Sequence, residues 1–301
     1  MVALHIYTLH ISTLGALAIN IAIYERAPMN AWICVTCGVQ QAPSEVAPPH
    51  CPICDDERQY VGWGGQQWTT SEDLRRTHHS VIREEEPDLF GIATDPAFAI
   101  GQRALLIRTP HGNVMWDSVS VMDDVALTRV AELGGISAIC VSHPHFYAAV
   151  VDWADEFGAR ILFPAADAQW IQRPSDRIEF YDTDAEVVTG VTVARIGGHF
   201  DGASVVHWAA GSEGRGVLLT GDTITVVQDR EWVSFMWSYP NLIPLDAATV
   251  NGIAQSVERF DFDRIYGGWW GRVVTADGPA AIRRSADRYI ARLRGGAESE
   301  R

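Results

Sequence analysis

Two sets of residues in this sequence have the types and spacing to do chemistry. Cys34 and Cys37 form one C-x-x-C pair and Cys51 and Cys54 a second, thirteen residues apart. Each pair can turn two thiolates toward one point, and four thiolates at one point make a tetrahedral site for zinc or a single iron. Gly38 after the first pair and Pro52 inside the second mark both as tight turns. Two disulfides are the alternative. Paired C-x-x-C spacing favours metal, and a secretory leader would need a basic start, whereas no Lys or Arg precedes Arg26. His50 could replace a thiolate, although four cysteines suffice. Cys140, in the apolar run SAICVS, reads as a small buried hydrophobe.

The second set is His143 and His145 in SHPHFY, His199 in GGHFDG and Asp222 in TGDT. Each follows an apolar, strand-like run: SAICVS, VTVARIG and GVLLTG. Two residues apart in extended chain, His143 and His145 face one way. Strand ends are where open α/β architectures build sites, and glycines beside His199 and Asp222 let backbones approach closely. Any one of these histidines alone would more often be a satisfied structural residue. Together, all at strand ends, they form a set that suits zinc or iron(II).

The elements that must position these groups become regular from Ala104. ALLIRTP and NVMWDSV read as a hairpin turning at His111-Gly112-Asn113. Helical spacing in MDDVALTRVAEL, AAVVDWADEF and AADAQWIQR alternates with strands SAICVS and RILFP. Strands VTVARIG, SVVHWAA and GVLLTGD follow, then a helix over about 246–260, the strand DRIYGG and a last helix, AAIRRSADRYIARL. This order predicts an α/β sandwich with helices outside two mixed sheets. Residues 63–97, with WGGQQW, THHS and REEEPD, read as a linker, and His78 and His79 as loop residues. The apolar segment 11–24 is too short to span a bilayer. Residues 1–28 read as an upstream extension before a start at Met29, with a short interfacial anchor as the alternative.

The 301 residues carry a net charge of −15, with 47% hydrophobic and 20% charged residues. That is an ordinary globular composition, and it excludes disordered and disulfide-dense classes. The acidity argues against nucleic acid as a partner, because phosphate contacts need clustered Lys and Arg. Nothing points to a membrane or to export, so a cytoplasmic location is expected.

Residues 32–60 resemble the rubredoxin-like knuckle of the rubrerythrins and the short zinc ribbons. Zinc would make the knuckle, residues 29–62, a structural staple and iron an electron carrier; zinc is the default, because so short a module needs metal to fold. Residues 98–296 resemble the metallo-β-lactamase fold, as in glyoxalase II-type hydrolases, lactonases and persulfide dioxygenases, leaving 297–301 as a tail. Asp117 in NVMWDSV takes the place of the family's early aspartate. SHPHFY matches the first half of its H-x-H-x-D-H loop, GGHFDGAS its third-histidine loop and LLTGDT its bridging-aspartate loop. The resemblance implies an αββα sandwich with a small N-terminal metal knuckle.

The departures fall on the second metal site. The family's D-H pair would lie on Tyr147 and Ala148, and its last histidine near Trp269. A mononuclear centre held by His143, His145, His199 and Asp222 is expected, with an empty one as the alternative. Zinc there would activate water against an ester, thioester or lactone of a small molecule. Asp222 would ligate the ion or orient the water, and Tyr147 would donate to the oxyanion or pack over the site. Iron on His143, His199 and Asp222 would instead resemble the persulfide dioxygenases. A third possibility is a binding protein that keeps only the fold. Trp237, Tyr239, Trp269 and Trp270 are the expected lining of an aromatic substrate pocket, with core packing as the alternative.

Overall fold

The computed structural model describes residues 29–295. The expected extension over 1–28 and the tail over 297–301 lie outside the described residues.

The knuckle comes first. Strand β1 (Ile33–Cys34) pairs antiparallel with β2 (Trp68–Thr69), Cys34 opposite Trp68. The knuckle thus pairs with a strand that lies past its expected end at residue 62. Thr70 then caps the single turn α1 (Ser71–Leu74) by accepting from the Asp73 amide at 3.1 Å.

A seven-stranded sheet follows, with every strand beside its sequence neighbour: β3 (His79–Glu86), β4 (Leu89–Asp95), β5 (Arg103–Ile107), β6 (Val114–Trp116), β7 (Ala138–Cys140), β8 (Arg160–Pro164) and β9 (Ile178–Tyr181). The expected linker over 63–97 is corrected here, because β3 and β4 form the start of this sheet. β3 lies at the sheet edge, so its exposed positions carry charges and its sequence imitates an acidic loop. β4, one strand in, shows the apolar run LFGIA, all of it buried. Helices α2 (Asp124–Glu132) and α3 (Val150–Phe157) make the crossovers that allow β6, β7 and β8 to run parallel. The Asp123 side chain caps α2, and Gly158, at φ 67°, ends α3. AADAQW, expected as a helix, instead makes 3-10 turns over Ala165–Trp170.

The second sheet has six strands. β10 (Asp184–Val188), β11 (Val191–Arg195) and β12 (Ser204–Trp208) form a meander; the short turn α4 (Gly211–Gly214) leads to β13 (Val217–Thr220). Two small hairpins come next, β14 (Thr225–Val226) with β15 (Val233–Ser234) and β16 (Met236–Ser238) with β17 (Ile243–Pro244). Helix α5 (Ala247–Val257) then returns the chain to β18 (Arg264–Tyr266), parallel to β13, and β19 (Val273–Val274) closes the sheet before helix α6 (Gly278–Leu293).

The two sheets face each other across one apolar layer, in which Leu105, Ile107, Trp116 and Leu162 meet Val193, Val206 and Leu219. α2 and α3 cover the outside of the first sheet, through Val130 and Trp153 on Leu106 and Ile139. α5 and α6 cover the second, through Ile253 and Ile282 on Val205 and Leu218. The expected αββα sandwich is the observed one. The knuckle cysteines join the helix-side core of the first sheet, so the knuckle is packed on the sandwich and not tethered beside it. Among the described residues no helix is long and apolar enough to cross a membrane.

Candidate metal centres

The sandwich places three strand-end loops side by side. β7 leads into the turn carrying His143 and His145, β11 into the loop of His199, and β13 into the turn that begins with Asp222. All four residues are at most 5% exposed. One donor atom from each lies within 4.8 Å of every other. His143 Nε2 is 3.5 Å and His199 Nε2 3.9 Å from Asp222 Oδ2. The Nε2 atoms of His143, His145 and His199 are buried without a hydrogen-bond partner. Three orphaned imidazole nitrogens around a carboxylate are costly unless a cation completes them, so these residues fit a metal ion.

The surroundings prepare the donors. His199 Nδ1 lies 2.9 Å from the Met236 carbonyl and His143 Nδ1 2.8 Å from Ser142 Oγ. Burial, reinforced by His143, pushes His199 down to about 4, and burial pushes His145 down as well. Burial opposes the charge on Asp222, but His143 and His199 outweigh it and hold the carboxyl below its ordinary range. Asp117, at φ 62°, accepts from the Ser142 amide at 2.7 Å and braces the histidine turn. Tyr239 donates to the Asp222 carbonyl at 2.9 Å, with its ring 5.8 Å from that of His199.

The four cysteine sulfurs also converge within 4.8 Å, and all four are buried. None is in a disulfide. Cys34 Sγ lies 3.6 Å from Cys54 Sγ, Cys37 Sγ 3.7 Å from Cys51 Sγ, and Gln66 donates to Cys34 at 3.2 Å. Burial pushes the Cys37 thiol up and the contact with Cys34 does the same to Cys54, while hydrogen bonds from its neighbours pull Cys34 down. Such a cluster cannot ionise fully without a cation, which is the behaviour of a tetrathiolate metal site.

The other expected residues spread out. The Tyr147 ring packs edge-on against Phe163, its hydroxyl buried without a partner. Trp237 turns to the knuckle and donates to Glu57 at 3.0 Å. Trp269 packs on Phe146, which itself touches the His143 ring, and donates to the Ile100 carbonyl. Trp270 is corrected: it lies over Arg83 and Arg103 against Gly91, on the flank of β3 to β5. Phe146 also fills the space at Gly268, where an added Cβ would come within 2.7 Å of the ring.

Two further residues near the site are not singled out by the sequence motifs. Asp167, just after β8, accepts from the Gly202 amide at 2.8 Å through Oδ1, while its Oδ2 is buried and unpartnered; burial pushes it up to about 6. Its strand-end position was the available signal. Arg58 had no such signal, because it belongs to the knuckle. Its guanidinium lies 3.8 Å from the Phe200 ring centre, and Phe200 in turn contacts all three histidine rings.

These features define a metallo-β-lactamase fold with a four-cysteine knuckle packed against its histidine–aspartate site. The solved structure of VMB-1 matches with a TM-score of 0.54 at 13% identity, over 71% of this chain and 98% of that one. That of the metallo-β-lactamase SMB-1 with mercaptoacetic acid gives 0.48 at 17%, over 73% and 95%. The chain belongs to the family of the uncharacterized protein YmaE of Bacillus subtilis (strain 168), with 46% identity over 268 residues, 88% of this chain and 97% of YmaE. No protein-family model matches.

Proposed function

We propose that the chain is a metal-dependent hydrolase of a small organic ester, thioester or lactone, with one catalytic ion, zinc first, held by His143, His145, His199 and Asp222. The observation that carries this reading is the convergence of one donor atom each from His143, His145, His199 and Asp222 within 4.8 Å, with the Nε2 atoms of all three histidines buried and unpartnered. A bound divalent ion supplies Lewis-acid polarisation and a nucleophilic water at neutral pH. Asp222 is charged at neutral pH and so can accept a proton or orient a water through Oδ2. His199 keeps its Nε2 lone pair free by donating through Nδ1, and Tyr239 fixes the Asp222 backbone. A single ion is favoured because Tyr147, Ala148 and Trp269 stand where the resembled family keeps further ligands, and Phe146 fills the space beside the late turn. In the knuckle, zinc would act as a staple. Unpaired knuckle cysteines suit a reducing, cytoplasmic setting.

A non-haem iron enzyme is the second reading, favoured by the way Asp222 faces His143 and His199 as two histidines and one carboxylate. Metal quantification separates the two. Two zinc per chain and chelator-sensitive cleavage of a thioester, lactone or ester panel support the hydrolase; iron with an iron–thiolate absorption supports the redox enzyme. If neither His143→Ala nor Asp222→Asn alters metal content or any activity found, the site reading fails.

A further inference from the structure

Arg58 carries the knuckle to the histidine–aspartate centre. Arg58 is 8% exposed and held in a fork by Asp56, Nε to Oδ1 at 2.6 Å and NH2 to Oδ2 at 3.0 Å. Its remaining terminal nitrogen, NH1, donates to the His199 carbonyl at 3.3 Å, 141 residues away in sequence. The guanidinium is clasped between Phe200 at 3.8 Å and Trp237 at 4.4 Å. The backbone around Arg58 is pinned as well. Ser238 Oγ donates to the Arg58 carbonyl at 3.0 Å, and Asn241 Nδ2 to the carbonyls of Glu57 and Gln59 at 2.9 and 3.0 Å. Ser238 ends the strand β16, whose Met236 carbonyl accepts from His199 Nδ1.

We propose that Arg58 is a positioning residue through which the four-cysteine knuckle sets the metal affinity of the histidine–aspartate centre. Arg58 grips His199 by its main chain, while the strand it is pinned to grips the imidazole. Both determinants of where His199 Nε2 points thus depend on the segment that leaves the second C-x-x-C pair. A buried arginine forked to a carboxylate and clasped by two rings is rigid, which a lysine cannot reproduce. This proposal rests on the reading of His143, His145, His199 and Asp222 as a metal site.

The test loads the full chain with cobalt(II) and titrates it with a chelator, following two signals. Thiolate-to-cobalt charge transfer in the near ultraviolet reports the cysteine site, and total cobalt after desalting gives the sum. Arg58→Ala and Arg58→Lys should each release the histidine-centre cobalt at roughly ten-fold lower chelator or less, the scale of losing an outer-shell partner, with the thiolate band intact. Asp56→Asn, which loosens the fork without emptying the space, should give a smaller loss in the same direction and covers the case of an unfolded Arg58→Ala. Release within two-fold of wild type in the folded Arg58 variants, or a thiolate band lost in step with the second ion, overturns the proposal. Wild-type protein that binds only the thiolate cobalt overturns the metal-site reading and the proposal with it, and that failure shows before any variant is made.

Discussion

His199 Nδ1 and the main-chain carbonyl of Met236 lie 2.9 Å apart. A carbonyl can only accept, so the proton sits on Nδ1 and the Nε2 lone pair is left facing Asp222. A ring fixed in this tautomer is ready to ligate and unable to satisfy itself elsewhere. His199→Ala should therefore remove one metal per chain and leave the cysteine site loaded, with hydrolysis reduced at least about a hundred-fold. Elemental analysis of wild type and variant, side by side with the turnover assay, checks this. Two metals retained in the variant would exclude His199 as a ligand.

The contact between Asp117 and Ser142 predicts a pH dependence of stability. Burial pushes Asp117 up to about 8 from an ordinary value near 3.8, because its hydrogen bond from the Ser142 amide offsets only part of the desolvation. A carboxyl that holds its proton more tightly when folded contributes stability that is complete below the unfolded value. That contribution is lost as pH rises through the folded value. Chemical denaturation of apo protein between pH 5 and about 8 should show wild type weakening relative to Asp117→Asn, which keeps the acceptor for Ser142 but cannot ionise. A parallel pair of curves across that range would show that Asp117 is already ionised in the folded state.

Much of this architecture could be read from the residues, and the failures have physical causes. The four thiolates and the three strand-end loops were visible because ligand geometry forces short, distinctive spacings and because apolar strands announce their own ends. β3 reads as a loop because one of its faces is solvated and an edge strand carries the charges of a loop. Adjacency in sequence does not place Trp270 with Trp269, because the GGWWG turn directs the two indoles to different sides, Trp269 toward Phe146 and Trp270 toward Arg103. Arg58 could not have been found by motif at all. Its role comes from a contact across 141 residues, and only the packing of the knuckle on the sandwich brings the two ends together.

Gly221, immediately before Asp222, is a test of close approach. A Cβ there would come within 2.4 Å of Ser142 Oγ and 3.1 Å of His143 Nδ1. The backbone is not in the left-handed region, so the cost of a side chain is steric and falls directly on the histidine turn. Gly221→Ala should destabilise the fold by about 1–3 kcal/mol, the usual scale of overpacking. It should also weaken metal binding at the histidine centre, because the clash falls on Ser142 and His143 and pushes against the Asp222 turn. Thermal unfolding of the apo and zinc-loaded forms separates the effects: the stabilisation gained on adding zinc should shrink in the variant. An unchanged zinc-induced shift would mean that the loop yields without disturbing the ligands.

The two adjacent indoles of the late turn should behave as unrelated residues. Trp270 covers the Arg103–Glu85 ion pair, whose 2.6 Å contact is made by an arginine side chain with no solvent exposure. Removing that cover exposes the pair to water and forfeits the cation–π contacts to Arg83 and Arg103. Trp270→Ala should therefore cost about 2–3 kcal/mol of stability, with metal content and kcat/KM unchanged. Trp269 packs on Phe146, and Phe146 packs on His143 at a centroid distance of 4.5 Å. Trp269→Ala frees Phe146 to shift, so it should lower metal affinity or raise KM at a smaller cost in stability. Denaturant melts and metal titrations of both variants decide the matter. Equal effects of the two substitutions on the metal centre would return Trp270 to the site, and equal silence would remove Trp269 from it.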